Sequence, residues 1–240
     1  MTPRLTSVLV AEALGTFLFF FVGMGAVITT TWIQGADLGG LVTVALAHGL
    51  ALAVLVSALG PISGGHFNPA VTFAVWITGR IEPVRAALYV AAQLAGAVLA
   101  ALALRVVFND AAWRPVNLAT PEVLGGVGVV QAIVIEAILT VVLLVAVFGT
   151  AIDPRAPKLG GLAIGLAVAA DILMGGPLTG AAMNPARWFG PAVVSGTLDN
   201  WYVWWIGPLV GAAVAALIYR YALEEHAEPD VTPATPEGRA

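Results

Sequence analysis

Six stretches of the chain, 6–29, 39–59, 83–107, 128–151, 159–176 and 201–222, are apolar over roughly the 20 residues that a helix needs to cross a bilayer. No other feature constrains the fold as much. Hydrocarbon offers no partner to a backbone N–H or C=O, so a spanning segment outside a closed barrel has to be helical. Composition agrees: 60% of the 240 residues are hydrophobic and 10% charged, against about 25% charged in a soluble domain. The chain reads as an all-α, multi-pass protein of the lipid bilayer. The first stretch is long enough to span and has no small-residue cleavage site, so it reads as a helix and not a removable leader.

Between the spans lie polar or turn-forming gaps at Gly35–Asp37, Asn109–Pro121, Asp153–Lys158 and Leu198–Asn200. Six crossings put both termini on one side. Arg4, Arg80, Arg85, Arg155, Lys158, Arg220 and Arg239 then share that side, leaving Arg105, Arg114 and Arg187 for the other. The positive-inside rule makes the richer side cytoplasmic, with the cell membrane as the expected location. The formal charge of -4 comes largely from acidic residues after Tyr221, which mix with Pro229, Pro233 and Pro236. That composition predicts a disordered cytoplasmic tail over 224–240. Cysteine is absent, which excludes disulfides and thiolate metal sites.

The chain echoes itself. Glu12 in AEALGTF matches Glu136 in IEAILTV, Asn68-Pro69-Ala70 matches Asn184-Pro185-Ala186, and QLAGAVLAAL shares six of ten residues with PLVGAAVAAL. Three spans per copy is an odd number, so the second copy must be inverted in the membrane. The repeats are expected at 1–115 and 116–223, with the functional site near the midplane where they meet.

Two shorter apolar stretches, 68–79 and 184–195, remain. A 12-residue helix reaches only about 18 Å, half a bilayer. Proline suits the first helical turn, where its missing N–H would be unpaired anyway, and the asparagine before it is a strong N-cap. Asn68-Pro69 and Asn184-Pro185 therefore read as starts of re-entrant half-helices. The segments before them, 63–67 and 179–183, must be extended loops inside the membrane, tolerated only when buried in protein or lining a water-filled cavity. Inverted symmetry points the two half-helices at each other, each N-terminus carrying roughly half a positive charge. Two asparagine amides and a row of loop carbonyls then serve a neutral solute, while a cation meets repulsion. Arg187, one turn past Asn184, is an intramembrane arginine and functional by default, the alternative being that it snorkels to the headgroups. Glu12 and Glu136 are charges inside spans, and His48 is either a pore residue or a satisfied core histidine. Trp201, Tyr202, Trp204 and Trp205 read as an interfacial aromatic belt, and Gly96 and Gly211 as points of close helix approach.

SGGHFNPAVTF and GAAMNPARWFGPAV resemble the two signature segments of the aquaporin (major intrinsic protein) family. AHGLALAVLVS and ILMGGPLTGAAMNPARWFGPAVV are most similar to its tonoplast intrinsic protein branch of water channels. The resemblance runs from Glu12 to about Tyr219. It implies a right-handed bundle of six helices and two half-helices, and a homotetramer with one pore per subunit. It places an outer constriction at His48, Ile172, Ala181 and Arg187. It also makes Glu12 and Glu136 braces that accept hydrogen bonds from the dipping loops, with a proton relay as the alternative, and has His66 hold its loop in shape. Water-strict relatives carry an aromatic residue where His48 stands and a histidine where Ile172 stands. Ile172 and Ala181 thus widen the expected solutes from water to ammonia or urea, while Arg187 and an outer loop without histidine argue against that widening. Asp171 departs from the branch's usual asparagine, and either tunes the outer mouth or faces a helix contact.

The implied activity is passive conduction of water and small neutral solutes with protons and ions excluded. A glycerol facilitator, a secondary transporter and a closed structural pore are the alternatives. No catalytic constellation, cofactor, metal ion or nucleic acid is expected.

Overall fold

A computed structural model describes residues 4–34, 38–157 and 159–224. Among them, six helices are long and apolar enough to cross a membrane. In chain order the helices are α1 (Leu5–Gln34), α2 (Leu38–Ser63), α3 (Pro69–Ile77), α4 (Pro83–Val107) and α5 (Asp110–Trp113). After a 3₁₀ turn at Arg114–Ala119 come α6 (Val129–Val147), α7 (Leu162–Thr179), α8 (Pro185–Ser195) and α9 (Val203–Ile218). Helices α6 and α9 each end in a π-turn, at Phe148–Ile152 and Tyr219–Leu223.

Helix α1 packs on α2 and α4, and its counterpart α6 packs on α7 and α9. Half-helix α8 lies against α4, and α3 lies against α9, so each half-helix docks on the last long helix of the opposite half. Small residues let the backbones touch. A Cβ on Gly96 would come within 2.3 Å of the Ala13 carbonyl, and one on Gly211 within 2.2 Å of the Ala137 carbonyl. Where α2 crosses α7, a Cβ on Gly165 would meet the Gly49 carbonyl at 2.2 Å. These contacts pair by the same register as the sequence repeat, Ala13 with Ala137, Gly96 with Gly211 and Gly49 with Gly165.

Several boundaries differ from the sequence expectation. Helix α2 runs to Ser63, through Pro61, because the Gly64 N–H closes the last turn on the Gly60 carbonyl at 2.8 Å. Helix α7 is shifted three residues toward the C-terminus, so Thr179 ends a helix and does not begin a loop. Half-helix α3 stops at Ile77, two residues early, as Gly79 turns the chain at φ 76°. The gap at 109–121 holds α5 and the 3₁₀ turn. Trp204 leaves the expected aromatic belt: it is 1% exposed, and its indole N–H donates to the Thr179 carbonyl at 3.0 Å. Trp201, 55% exposed, keeps an outward place.

At one end of the bundle Arg80 pairs with Glu224, Arg155 with Asp153, and Arg220 donates to the Ile77 carbonyl. At the opposite end the guanidiniums of Arg105 and Arg114 lie over Trp113, 5.2 and 4.7 Å from its ring centroid. Hydrogen bonds from Arg155, and then from Tyr219, hold the Asp153 carboxyl well below the usual carboxylate range. A lowered acid stabilises the fold above its unfolded value and loses that contribution only as pH falls through the folded one. This tie is therefore fully present at neutral pH. Apart from Glu224, the tail expected at 224–240 lies outside the described residues, as does Lys158.

Candidate functional site

The site starts with two identical caps. Asn68 and Asn184 have extended backbones, φ -156° and -152°, and each side-chain oxygen accepts the N–H of the alanine two residues on, at 2.7 and 3.0 Å. Pro69 and Pro185 occupy the first helical positions. The cap bond fixes each amide, so its NH₂ end is aimed across the molecule. Asn68 Nδ2 donates to the Met183 carbonyl and Asn184 Nδ2 to the Phe67 carbonyl, both at 3.0 Å. The two half-helix N-termini thus meet at the centre of the fold. Each amide nitrogen carries a second hydrogen, and both asparagines line the central cavity.

Those accepting carbonyls come from strained residues. Phe67 and Met183 sit at φ 47° and 51°, a region that usually costs a non-glycine residue of order 1–3 kcal/mol. Carboxylates hold them there. Glu12 accepts from Ser63 Oγ (2.6 Å), His66 N (3.0 Å), Phe67 N (2.8 Å) and Gln93 Nε2 (2.8 Å). Glu136 accepts from Thr179 Oγ1 (2.7 Å), Ala182 N (2.9 Å) and Met183 N (2.7 Å). The fourth donor is missing on the second side because the repeat places Pro208 where Gln93 stands. His66 donates to or accepts from Thr72 Oγ1 through Nδ1 at 3.0 Å, and it also lines the cavity. Tyr89 Oη, 2.8 Å from the Ser63 carbonyl, repeats the bond that Trp204 makes to Thr179.

Two cavities meet at three shared residues. A vestibule of about 670 Å³ and a channel of about 180 Å³ are both lined by His48, Ile172 and Arg187. Ala181 lines the channel just below, and Gly180 the vestibule. Arg187 is 6% exposed. Its Nη1 donates to the Ala119 carbonyl at 2.7 Å and its Nε to His48 Nε2 at 3.3 Å. Since the guanidinium only donates, Nε2 must accept, and Nδ1 carries the proton toward the Val44 carbonyl at 2.9 Å. His48 is thus a neutral ring in one tautomer, edge-on to Phe19 with centroids 5.9 Å apart. None of the described ion pairs includes Arg187. The groups it touches are dipoles, a carbonyl and a neutral imidazole.

The four positions related to this constriction by the repeat are Ile164, Val56, Gly65 and Val71, and all line the same channel. The framework is symmetric, and the side chains are not. At these eight positions only the Arg187 side carries a cation and an imidazole; His66 and Arg80 line the channel from other places in the fold.

Some groups at this site were not anticipated from the sequence. The Ala119 carbonyl reaches Arg187 because Asn117, Leu118 and Ala119 all take positive φ, between 47° and 61°. That run of three non-glycine residues has no sequence signature. Gln93 falls on the apolar face of a span, and its repeat partner is a proline. Asp171 is 3% exposed and lines neither cavity, so it does not shape the mouth. Its Oδ2 is buried with no hydrogen-bond partner among the described residues. A buried unsatisfied polar atom costs about 1–3 kcal/mol. Asp171→Asn is therefore expected to keep full water permeability and to melt at the same or a higher temperature. A fall in permeability would put Asp171 on the conduction path.

Comparisons with known proteins agree with this geometry. The family model described as major intrinsic protein matches residues 2–219. "Probable aquaporin TIP3-2" of Arabidopsis thaliana is 49% identical over 224 residues, covering 89% of this chain and 82% of that protein. "Aquaporin TIP4-4" of Zea mays is 47% identical over 215 residues, covering 87% and 83%. The X-ray structure of the aquaglyceroporin from Plasmodium falciparum superposes with a TM-score of 0.79 over 91% of this chain and 97% of that one; at 24% identity it speaks for the fold alone. On the matched length, the crossed asparagine caps and the curated relatives together, the chain belongs to the major intrinsic protein, or aquaporin, family.

Proposed function

We propose that the chain is a passive channel for water and small neutral solutes, with an outer constriction formed by His48, Ile172, Ala181 and Arg187. The observation that carries this reading is the meeting of vestibule and channel at His48, Ile172 and Arg187. Below it, Asn68, Asn184 and the loop backbone offer hydrogen-bond groups at fixed positions, which is what single-file passage of a dehydrated neutral molecule requires. A cation meets Arg187 and then the positive ends of two half-helices. Asn68-Pro69-Ala70 and Asn184-Pro185-Ala186 act as the central pore element, and Glu12, Glu136 and His66 as braces of the loops. Residues 1–115 and 116–223 act as the two inverted repeats.

Ile172 and Ala181 leave one wall of the constriction apolar, which favours ammonia, and to a lesser degree urea, as further solutes. A glycerol facilitator is the second reading, against which Ala181 and Trp188-Phe189-Gly190-Pro191 favour the water branch. The secondary-transporter reading has less support, because the central lining is amide and backbone and not a titratable pair. We place both termini on the cytoplasmic side by the arginine distribution. TIP-type relatives favour a vacuolar membrane in a cell that has one, and the cell membrane otherwise. A homotetramer with one pore per chain is the assembly proposed.

Stopped-flow light scattering on proteoliposomes is the test. Water flux well above that of protein-free vesicles is expected, linear in the osmotic gradient and indifferent to proton or sodium gradients. Ammonia flux is expected to exceed, and glycerol flux to match, the protein-free rate. Saturable flux that follows an ion gradient would replace the channel with a transporter. Ammonia rates equal to those of empty vesicles would remove the wider solute range.

A further inference from the structure

Gly23 is buried on α1 and lines neither cavity. A Cβ built on it would lie 2.4 Å from both Cδ2 and Nε2 of His48, and 2.8 Å from Cε1. Carbon atoms in favourable contact stand about 3.5–4.0 Å apart. The imidazole therefore fills the space that a side chain at position 23 would occupy. Its other sides are already engaged: Phe19 edge-on at 5.9 Å, the Val44 carbonyl at Nδ1, and Arg187 at Nε2. A displaced ring could move only by breaking one of these contacts and shifting relative to Arg187.

The second half of the molecule supplies an internal comparison. In the repeat register set by Glu12 and Glu136, position 23 corresponds to Val147; in that set by Gly49 and Gly165, His48 corresponds to Ile164. Val147 and Ile164 both line the channel. A side chain is accommodated at this place in the fold when no ring has to lie against the helix backbone. The bare backbone at Gly23 thus goes with the imidazole.

We propose that Gly23 is a positioning residue for solute selection: the missing side chain on α1 sets where the His48 ring sits, and so sets the opening that the His48–Arg187 pair bounds with Ile172. This rests on the reading of His48 and Arg187 as the outer constriction.

The test is a double-mutant cycle on purified protein in liposomes, following water, ammonia and urea flux together with thermal melting in detergent. Gly23→Ala alone is expected to cut water permeability roughly tenfold, equivalent to about 1.4 kcal/mol of added barrier, and to change the ammonia-to-water ratio. In a His48→Ala background the same Gly23→Ala change is expected to alter neither flux nor melting, because the ring it strikes is gone. Gly25→Ala is the control, since its Cβ would meet only Leu104 Cδ2 at an ordinary 3.4 Å, and it should behave as the native protein. If Gly23→Ala does not fold alone, folding must return in the double variant. Native flux from Gly23→Ala, equal damage in both backgrounds, or failure of the double variant to recover would overturn the proposal. His48→Ala with native selectivity would instead overturn the constriction on which it rests.

Discussion

Liposomes carrying Arg187→Ala are expected to take up glycerol and urea much faster than those carrying the native protein, and to show a measurable proton leak, while still conducting water. The guanidinium takes up one side of the opening and is fixed by the Ala119 carbonyl and His48. Its removal widens the place that vestibule and channel share among the described residues. It also removes the charge that a permeating cation meets first. At an effective dielectric of about 20, a unit charge 4 Å away contributes roughly 4 kcal/mol, about a thousandfold in rate. Ions larger than the proton should remain excluded by the dehydration they undergo in the narrow channel below. Arg187→Lys is expected to restore the charge but not the shape, because an ammonium lacks the planar fork that spans the carbonyl and the imidazole. It should therefore block protons better than larger solutes. Unchanged glycerol, urea and proton fluxes in Arg187→Ala would mean that selection happens elsewhere.

Glu12→Ala and Glu136→Ala are expected to fail at folding before they fail at conduction. Neither carboxylate lines the cavities. Each instead ends a set of buried donors: four for Glu12 and three for Glu136. At about 1–3 kcal/mol for each orphaned donor, and with the hydroxyl and amide side chains partly re-satisfied, the loss should reach about 4–8 kcal/mol. That is comparable to the whole stability of a typical domain, roughly 5–15 kcal/mol. The strain at Phe67 and Met183 has no other restraint on its N–H side. Glu12→Gln should be milder but still destabilising, since one acceptor oxygen becomes a donor facing donors. Yield of monodisperse protein and its melting temperature are the measurements. A Glu12→Ala protein that melts like the native one but leaks or loses proton selectivity would favour the proton-relay role.

The midplane was readable because its signals are local. Asn-Pro-Ala starts a helix whatever surrounds it, since the cap bond reaches only two residues, from Asn68 to Ala70 and from Asn184 to Ala186. Six spans followed from length and hydropathy, and the inverted repeat followed from counting them. The span ends were less legible. The spans expected to end at 59 and 176 run on to Ser63 and Thr179, where a closing bond at Gly64 and a left-handed cap at Gly180 stop them. Trp204 resembled its exposed neighbours in composition and differed only in having the Thr179 carbonyl within reach.

By itself, then, the sequence determined which segments cross, where two of them begin halfway, and which family these patterns resemble. Each of those properties is carried by residues within a few positions of one another, or by an internal copy. Tertiary structure alone decided how the asparagines cross to each other's loops, that Gln93 donates to Glu12, and how His48, Ala119 and Gly23 fix the opening at Arg187. Those partners are 25 to 139 residues apart in the chain. Burial in hydrocarbon drives their polar groups to find mates, Gln93 Oε1 being left without one among the described residues, and no local pattern says which mate each will take.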